Sequence, residues 1–235
     1  MLLEKDIQKI KDFLLKRYGT NLATILIFGS ANTGHYIEGK SDIDHIILLK
    51  KLNGLDVSQE MSILIRKLKS FHFAIQYLND LEGIKNYINK RKSFSTYITL
   101  VSEDGAKVIY TTSEFEKTRK YLKEHPLAKR DIKEQLKEKD KFELEGYFKE
   151  IKGANLTKAL MAHLRRKLQI INYFQTGKLT FDYERCLNTI KIDKRKKEQL
   201  EKVYSTYSKR KDLTKGEVNI CEKLARELTQ RIIKI

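Results

Sequence analysis

Two short apolar runs joined by a glycine-punctuated connection constrain this chain most. Residues 22–28 read Leu-Ala-Thr-Ile-Leu-Ile-Phe, and residues 43–49 read Ile-Asp-His-Ile-Ile-Leu-Leu. Each has the length and side-chain type of a strand and is bounded by turn residues. Around them lie helical stripes: Ile7, Ile10, Leu14 and Tyr18, stopped by Gly19, and Met61, Leu64, Ile65 and Leu68 after Ser58. A third strand is expected over residues 70–78, a helix around 81–88, and a hairpin pairing 99–102 with 107–110 through the Asp104-Gly105 dipeptide. A Ser113-x-x-Glu116 capping box should start a helix that reaches His125, and Pro126 is the only proline. Beyond it only helical periodicity is legible: Ile132, Leu136, Tyr147 and Ile151; Leu156, Leu160, Leu164, Leu168 and Ile171; Val218, Cys221, Leu224, Leu228 and Ile232. Breaks at Gly153, Gly177, Ile192-Asp193 and Leu213-Thr214, the last opening a Thr214-x-x-Glu217 capping box, divide this part into about five helices. The expected fold class is α/β (an α+β mixed sheet) over residues 1–125, followed by an all-α helical bundle over 126–235.

The connection between the first two strands carries the chemistry. Gly29 and Ser30 follow the first strand in a turn whose backbone N–H groups can grip a phosphate without a side-chain charge. Asp42 and Asp44 open the next strand two residues apart, and a period of two puts both carboxylates on one face. Two hard oxygen ligands suit Mg²⁺, which completes its shell with water and substrate phosphates. Ser41 reads as a residue that fixes the backbone before Asp42 by a local hydrogen bond.

Gly29-Ser30, Gly34 and Gly39-Lys40-Ser41-Asp42-Ile43-Asp44 resemble the signature of the nucleotidyltransferase superfamily. That superfamily includes DNA polymerase β, CCA-adding enzymes, oligoadenylate synthetases and antibiotic nucleotidyltransferases. The resemblance implies a nucleotidyltransferase domain over 1–125, moving a nucleoside monophosphate from a triphosphate, with ATP as the expected donor, to an acceptor hydroxyl and releasing pyrophosphate. It implies two Mg²⁺ ions, about 4 Å apart, bridging Asp42 and Asp44 to the triphosphate. Gly29 and Ser30 would hold the β- or γ-phosphate. A helical domain after the catalytic one is similar in architecture to that of the antibiotic nucleotidyltransferases, with no residue matches to carry it further.

The family brings a third carboxylate from a later strand, and here the chain departs from the pattern. Alternation over 70–78 places His72, Ala74 and Gln76 on one face and Phe71, Phe73, Ile75 and Tyr77 on the other, with no acid among them. His72 stands nearest the expected position. A neutral imidazole there can take a proton from the attacking hydroxyl, although imidazole is a poor Mg²⁺ ligand; a structural histidine is the competing reading. Glu103 and Asp104, the next acids, are read as part of the hairpin turn.

Composition narrows the remaining possibilities. With 235 residues and 40% hydrophobic content the chain can bury a core in one large domain or two modest ones. Cys186 and Cys221 stand apart from each other and from any histidine cluster, so buried reduced thiols are expected. The segment Met1 to Asp6 lacks a signal-peptide core, and no apolar run reaches a membrane span; the expected location is cytoplasmic.

Charge is shared unevenly. Residues 1–125 hold 20 Lys or Arg against 15 acids, +5, while 126–235 hold 28 against 16, +12. Arg165-Arg166-Lys167, Lys194-Arg195-Lys196-Lys197 and Lys209-Arg210-Lys211 can attract phosphate backbones, which would suit an RNA acceptor; solvated helix faces are the plainer reading. Tyr173, Phe174, Tyr204 and Tyr207 lie close by, at spacings that favour core packing over base stacking. Partners are therefore a nucleoside triphosphate and an acceptor that is a small molecule or RNA. The rival reading is a catalytically degenerate nucleotide- or RNA-binding module of the same fold.

Overall fold

The computed structural model describes residues 2–29, 32, 43–68, 73–209 and 211–235. The chain divides into two compact units, Met1–Pro126 and Leu127–Ile235.

In the first unit β1 (Leu22–Phe28), β2 (Ile43–Leu49), β3 (Phe73–Asp80) and β4 (Lys107–Thr111) form a mixed sheet in the order β3-β2-β1-β4. β1 runs antiparallel to both neighbours, and β2 pairs with β3 in parallel. From Leu22 to Ile27 every residue of β1 is buried, as a central strand covered on both faces must be. Helices α1 (Leu2–Tyr18) and α2 (Val57–Leu68) bring Ile10, Leu14, Leu64 and Leu68 into one cluster with Leu22, Ile25, Ile47, Leu49 and Leu78 of the sheet. The joint between these helices is ionic: Arg17 donates to Glu60 at 2.7 Å, and the Tyr18 hydroxyl donates to the same carboxylate at 2.5 Å. Helix α3 (Leu81–Arg91) begins at Asp80, whose side chain accepts from the Gly83 amide at 2.6 Å; α3 and α5 (Ser113–Glu124) also pack on the sheet.

Three local expectations are corrected. Residues 99–102 are not a strand: Phe94–Val101 form helix α4, and the loop after it leads into β4. Six of its eight residues are buried, and a short run that is apolar all round carries no period to separate helix from strand. Helix α5 starts one residue earlier than its expected box, with Thr112 at the N-cap and no side-chain cap; the Thr112 hydroxyl donates to the Ala23 carbonyl at 3.0 Å instead. In β3 the strict alternation breaks, because Ile75 pairs with His45 and Tyr77 with Ile46, leaving Gln76 as a bulge.

The second unit is helical. Helix α6 (Lys129–Phe142) runs through a π-helical turn (Glu143–Tyr147) into the single turn α7 (Phe148–Glu150); α8 (Gly153–Thr176), α9 (Tyr183–Thr189), α10 (Lys194–Ser208) and α11 (Lys215–Lys234) follow. Most of the anticipated stripe residues are core: Ile132 and Leu136 of α6, Leu160, Leu164, Leu168 and Ile171 of α8 and Cys221, Leu224, Leu228 and Ile232 of α11 are buried, whereas Tyr147 is exposed and Ile151, Leu156 and Val218 are half-buried. The Thr214/Glu217 capping box forms as expected. Both cysteines are free and buried.

The run Arg165-Arg166-Lys167 is not the solvent-facing patch it resembles in sequence. Lys167 is wholly buried and donates to both oxygens of Asp140, at 2.5 and 2.7 Å, with the Thr229 hydroxyl bridging them. Arg166 donates to Glu143 at 3.0 Å, and the Arg165 guanidinium lies 4.7 Å from the Phe181 ring centroid. His163 fills the space between, hydrogen-bonded to Glu143 and 3.3 Å from Asp140. Phe174 is likewise buried, and Tyr204 stacks on Tyr183 at 4.2 Å, so both serve packing.

Two outcomes follow from buried charge. Lys167→Met leaves the Asp140 carboxylate uncompensated, and urea unfolding followed by circular dichroism should show a loss of about 3–5 kcal/mol. His45, wholly buried in β2, is held down at about 3 by desolvation against a weaker pull from the Ile43 carbonyl. Above the ordinary value of 6.5 both folded and unfolded states are neutral. Between 6.5 and 3 only the unfolded state takes the proton, so this residue should cost about 1.4 kcal/mol of stability per pH unit on acidification. His45→Gln should flatten that slope.

Candidate active site

The sheet assembles its most distinctive corner where β1 ends. Phe28 pairs with Asp44 of β2, so the residue after the strand arrives beside that carboxylate. Gly29 takes φ +70°, a left-handed conformation that side chains resist, and a Cβ built on it would stand 2.5 Å from the Asp44 Oδ2. Space and backbone both demand glycine here. The Gly29 carbonyl accepts from the Asn32 amide at 3.2 Å, and the Asn32 side chain donates to the Asp104 carbonyl at 3.0 Å.

The expected Gly29 and Asp44 are thus brought together. Ser30, Ser41, Asp42 and His72 lie outside the described residues. On the far side of Asp44, the residue opposite it in parallel register is Ala74, so the described part of β3 offers it no acid. Asp104, read in sequence as a hairpin turn, instead belongs to the loop between α4 and β4. That loop reaches the same end of the sheet, because Lys107 pairs with Ile27. Among the described residues no group of three or more His, Cys, Asp or Glu side chains is gathered to hold a metal ion.

Sequence reasoning missed two residues. Asn32 carried no signal beyond being a turn-forming residue three positions past a glycine. His45, adjacent to Asp44, carries no signal of its own within a strand run that is otherwise apolar; burial keeps it neutral, so it adds no cation beside the carboxylate.

The Asp44 carboxylate and the side-chain-free Gly29 thus meet at adjacent strand ends of a small mixed sheet. The sequence matches the nucleotidyltransferase domain family over residues 7–168, and the chain belongs to that family and is a nucleotidyltransferase. Among solved structures it is similar to a spectinomycin adenyltransferase, AAD(9), from Enterococcus faecialis, determined with ATP and spectinomycin. The TM-score is 0.62 at 16% identity, with 98% of this chain and 99% of that chain covered. That likeness is one of fold. No curated protein matches the sequence, and no described helix is long and apolar enough to cross a membrane.

Gly29→Ala tests the corner directly. The added methyl must displace either the turn or the Asp44 carboxylate, so transferase activity should fall at least about a hundredfold, while the melting temperature drops by only a few degrees, in keeping with a local strain of about 1–3 kcal/mol.

Proposed function

We propose that this protein transfers the adenylyl group of ATP to a hydroxyl of a small-molecule acceptor in the cytoplasm, with pyrophosphate as the second product. The observation that carries the reading is the placement of Gly29 against the Asp44 carboxylate. A turn without a side chain admits a phosphate chain to within reach of a hard oxygen ligand, and a carboxylate beside an incoming polyanion needs a cation between them. This donor chemistry fits magnesium, which when bound neutralises charge on the triphosphate and on the leaving pyrophosphate. In this reading Asp42 and Asp44 hold the metal, with two ions as the expected complement. Gly29 and Ser30 grip the β- or γ-phosphate, and Ser41 fixes the backbone ahead of Asp42. His72 takes the acceptor proton.

A small molecule is favoured over RNA as acceptor. The solved structure of similar fold is described as an adenyltransferase with an antibiotic bound. One of the three basic runs that would attract a nucleic acid is spent inside the helical unit, with Lys167 on Asp140 and Arg166 on Glu143. The rival, a degenerate binding module, is favoured by one observation: Ala74 stands beside Asp44 where an acid would complete the site.

The deciding measurement is magnesium-dependent transfer of label from α-labelled ATP to a panel of aminocyclitol and aminoglycoside acceptors and to tRNA. We expect product with a small acceptor, lost on chelation and lowered at least about a hundredfold by Asp42→Asn or Asp44→Asn. If no acceptor is labelled, yet the wild type and a variant carrying both Asp42→Asn and Asp44→Asn bind ATP equally well, the degenerate module is the correct reading.

A further inference from the structure

The phosphate-gripping turn is held from two sides, and only one of them is the expected one. On the β2 side Gly29 abuts Asp44. On the β4 side stands Asn32, which returns to Gly29 through its main-chain amide and reaches across to the Asp104 carbonyl through its side chain. The two bonds have different consequences. The main-chain bond joins Asn32 to Gly29, and any residue but proline at position 32 can make it. The side-chain bond ties Asn32 to another part of the fold.

Its far end is a firm anchor. Asp104 precedes Gly105, where an added Cβ would meet the Ile98 and Thr99 carbonyls at 2.6 and 2.7 Å, so the loop is packed directly on the end of α4. Two residues later it enters β4, in register with β1 at Lys107 and Ile27. The tether therefore joins two strands at one end of their pair: β1 leaves the sheet at Gly29, β4 enters it beside the same point, and Asn32 fastens the leaving chain to the entering one. A turn following a strand otherwise swings about its last ladder bond, and ordering it when ligand binds costs about 1–2 kcal/mol per residue. A turn ordered beforehand avoids that cost.

Resting on the nucleotidyltransferase reading above, we infer that Asn32 is a positioning residue for the triphosphate: through its bond to the Asp104 carbonyl it keeps the Gly29 turn aimed at Asp44, and so sets how strongly the phosphate chain, rather than the nucleoside, is bound. Asn32 touches no reacting atom in this scheme. Its effect is confined to ligands long enough to reach the turn.

The test compares Asn32→Ala and Asn32→Asp with the wild type by isothermal titration calorimetry, using MgATP and AMP as probes, with melting temperatures recorded alongside. Aspartate keeps the size and the main-chain bond but replaces the donor with an acceptor facing a carbonyl. Both variants should lose about tenfold in the ratio of ATP to AMP affinity, the scale of one hydrogen bond. AMP affinity and melting temperature should stay as in the wild type. An unchanged ratio in Asn32→Asp overturns the inference, because the donor is then idle. Parallel loss of ATP and AMP affinity, or a lowered melting temperature that accounts for the change, also overturns it by making Asn32 a general structural residue. A wild type that binds no MgATP removes the nucleotide reading itself and this inference with it, an outcome distinct from wild-type binding that the variants share.

Discussion

The close approach of Gly29 to the Asp44 carboxylate is the contact on which the proposed site depends. It exists because β1 and β2 are antiparallel partners whose register sets Phe28 opposite Asp44, so the chain must turn away immediately beside a charged group. A side chain at that position is excluded twice, by the positive φ and by the 2.5 Å approach. The register itself is enforced by burial. Sliding β2 by one residue would exchange Ile47 and Leu49 for the equally apolar Ile46 and Leu48, but would turn the Asp44 carboxylate into the cluster under α1 and α2, where it is costly to bury. Packing in the core thus sets where the carboxylate emerges.

The charged interior of the helical unit follows a different logic. Asp140, Glu143, His163, Arg166 and Lys167 form a contiguous group spanning α6, its π-helical turn and α8, with Thr229 of α11 closing it. Burial alone would raise the Glu143 carboxyl; the His163 hydrogen bond and the Arg166 charge outweigh it and hold that group at about 2. Burial likewise pulls Lys167 down, to about 8, against the attraction of Asp140. Such a group adds little net stability over an apolar core of the same shape, and breaking it by removing one partner is costly. The π-helical turn begins at Glu143, the residue that meets His163 and Arg166.

Legibility in the sequence tracked how local the causes were. β1 and the general course of the helices could be read from runs and stripes, because burial imposes its period directly on the residues. The Thr214/Glu217 box formed because both partners sit within one turn. The Ser113/Glu116 box did not form: the N-cap falls one residue earlier, at Thr112, whose hydroxyl donates to the Ala23 carbonyl 89 residues away, a tertiary contact that no local pattern shows. Helix α4 was misread since its apolar faces leave no contrast, and with it went the hairpin that would have made Asp104 a bystander. Lys167 and Arg166 were misread as surface charge because nothing in a run of basic residues reveals that Asp140 and Glu143, more than twenty residues earlier, will meet them. For the site, pairing of Gly29 with Asp44 was legible from the motif, whereas the Asn32 tether depends on a loop 72 residues away.

Alanine at position 74 changes what the rest of the proposed site must do. Magnesium dehydrates reluctantly and is held by one or two carboxylates together with substrate phosphates. A third acid beside Asp44 would raise the local negative charge and let a cation bind before the nucleotide. If the site binds a cation as proposed, a methyl group beside Asp44 leaves more of the neutralising charge to the triphosphate, and cation and nucleotide would be mutually dependent ligands. By linkage each would then strengthen the other to the same extent. In such a site a turn fixed in advance at Gly29 would support both ligands, because the phosphate chain would share in the cation's coordination.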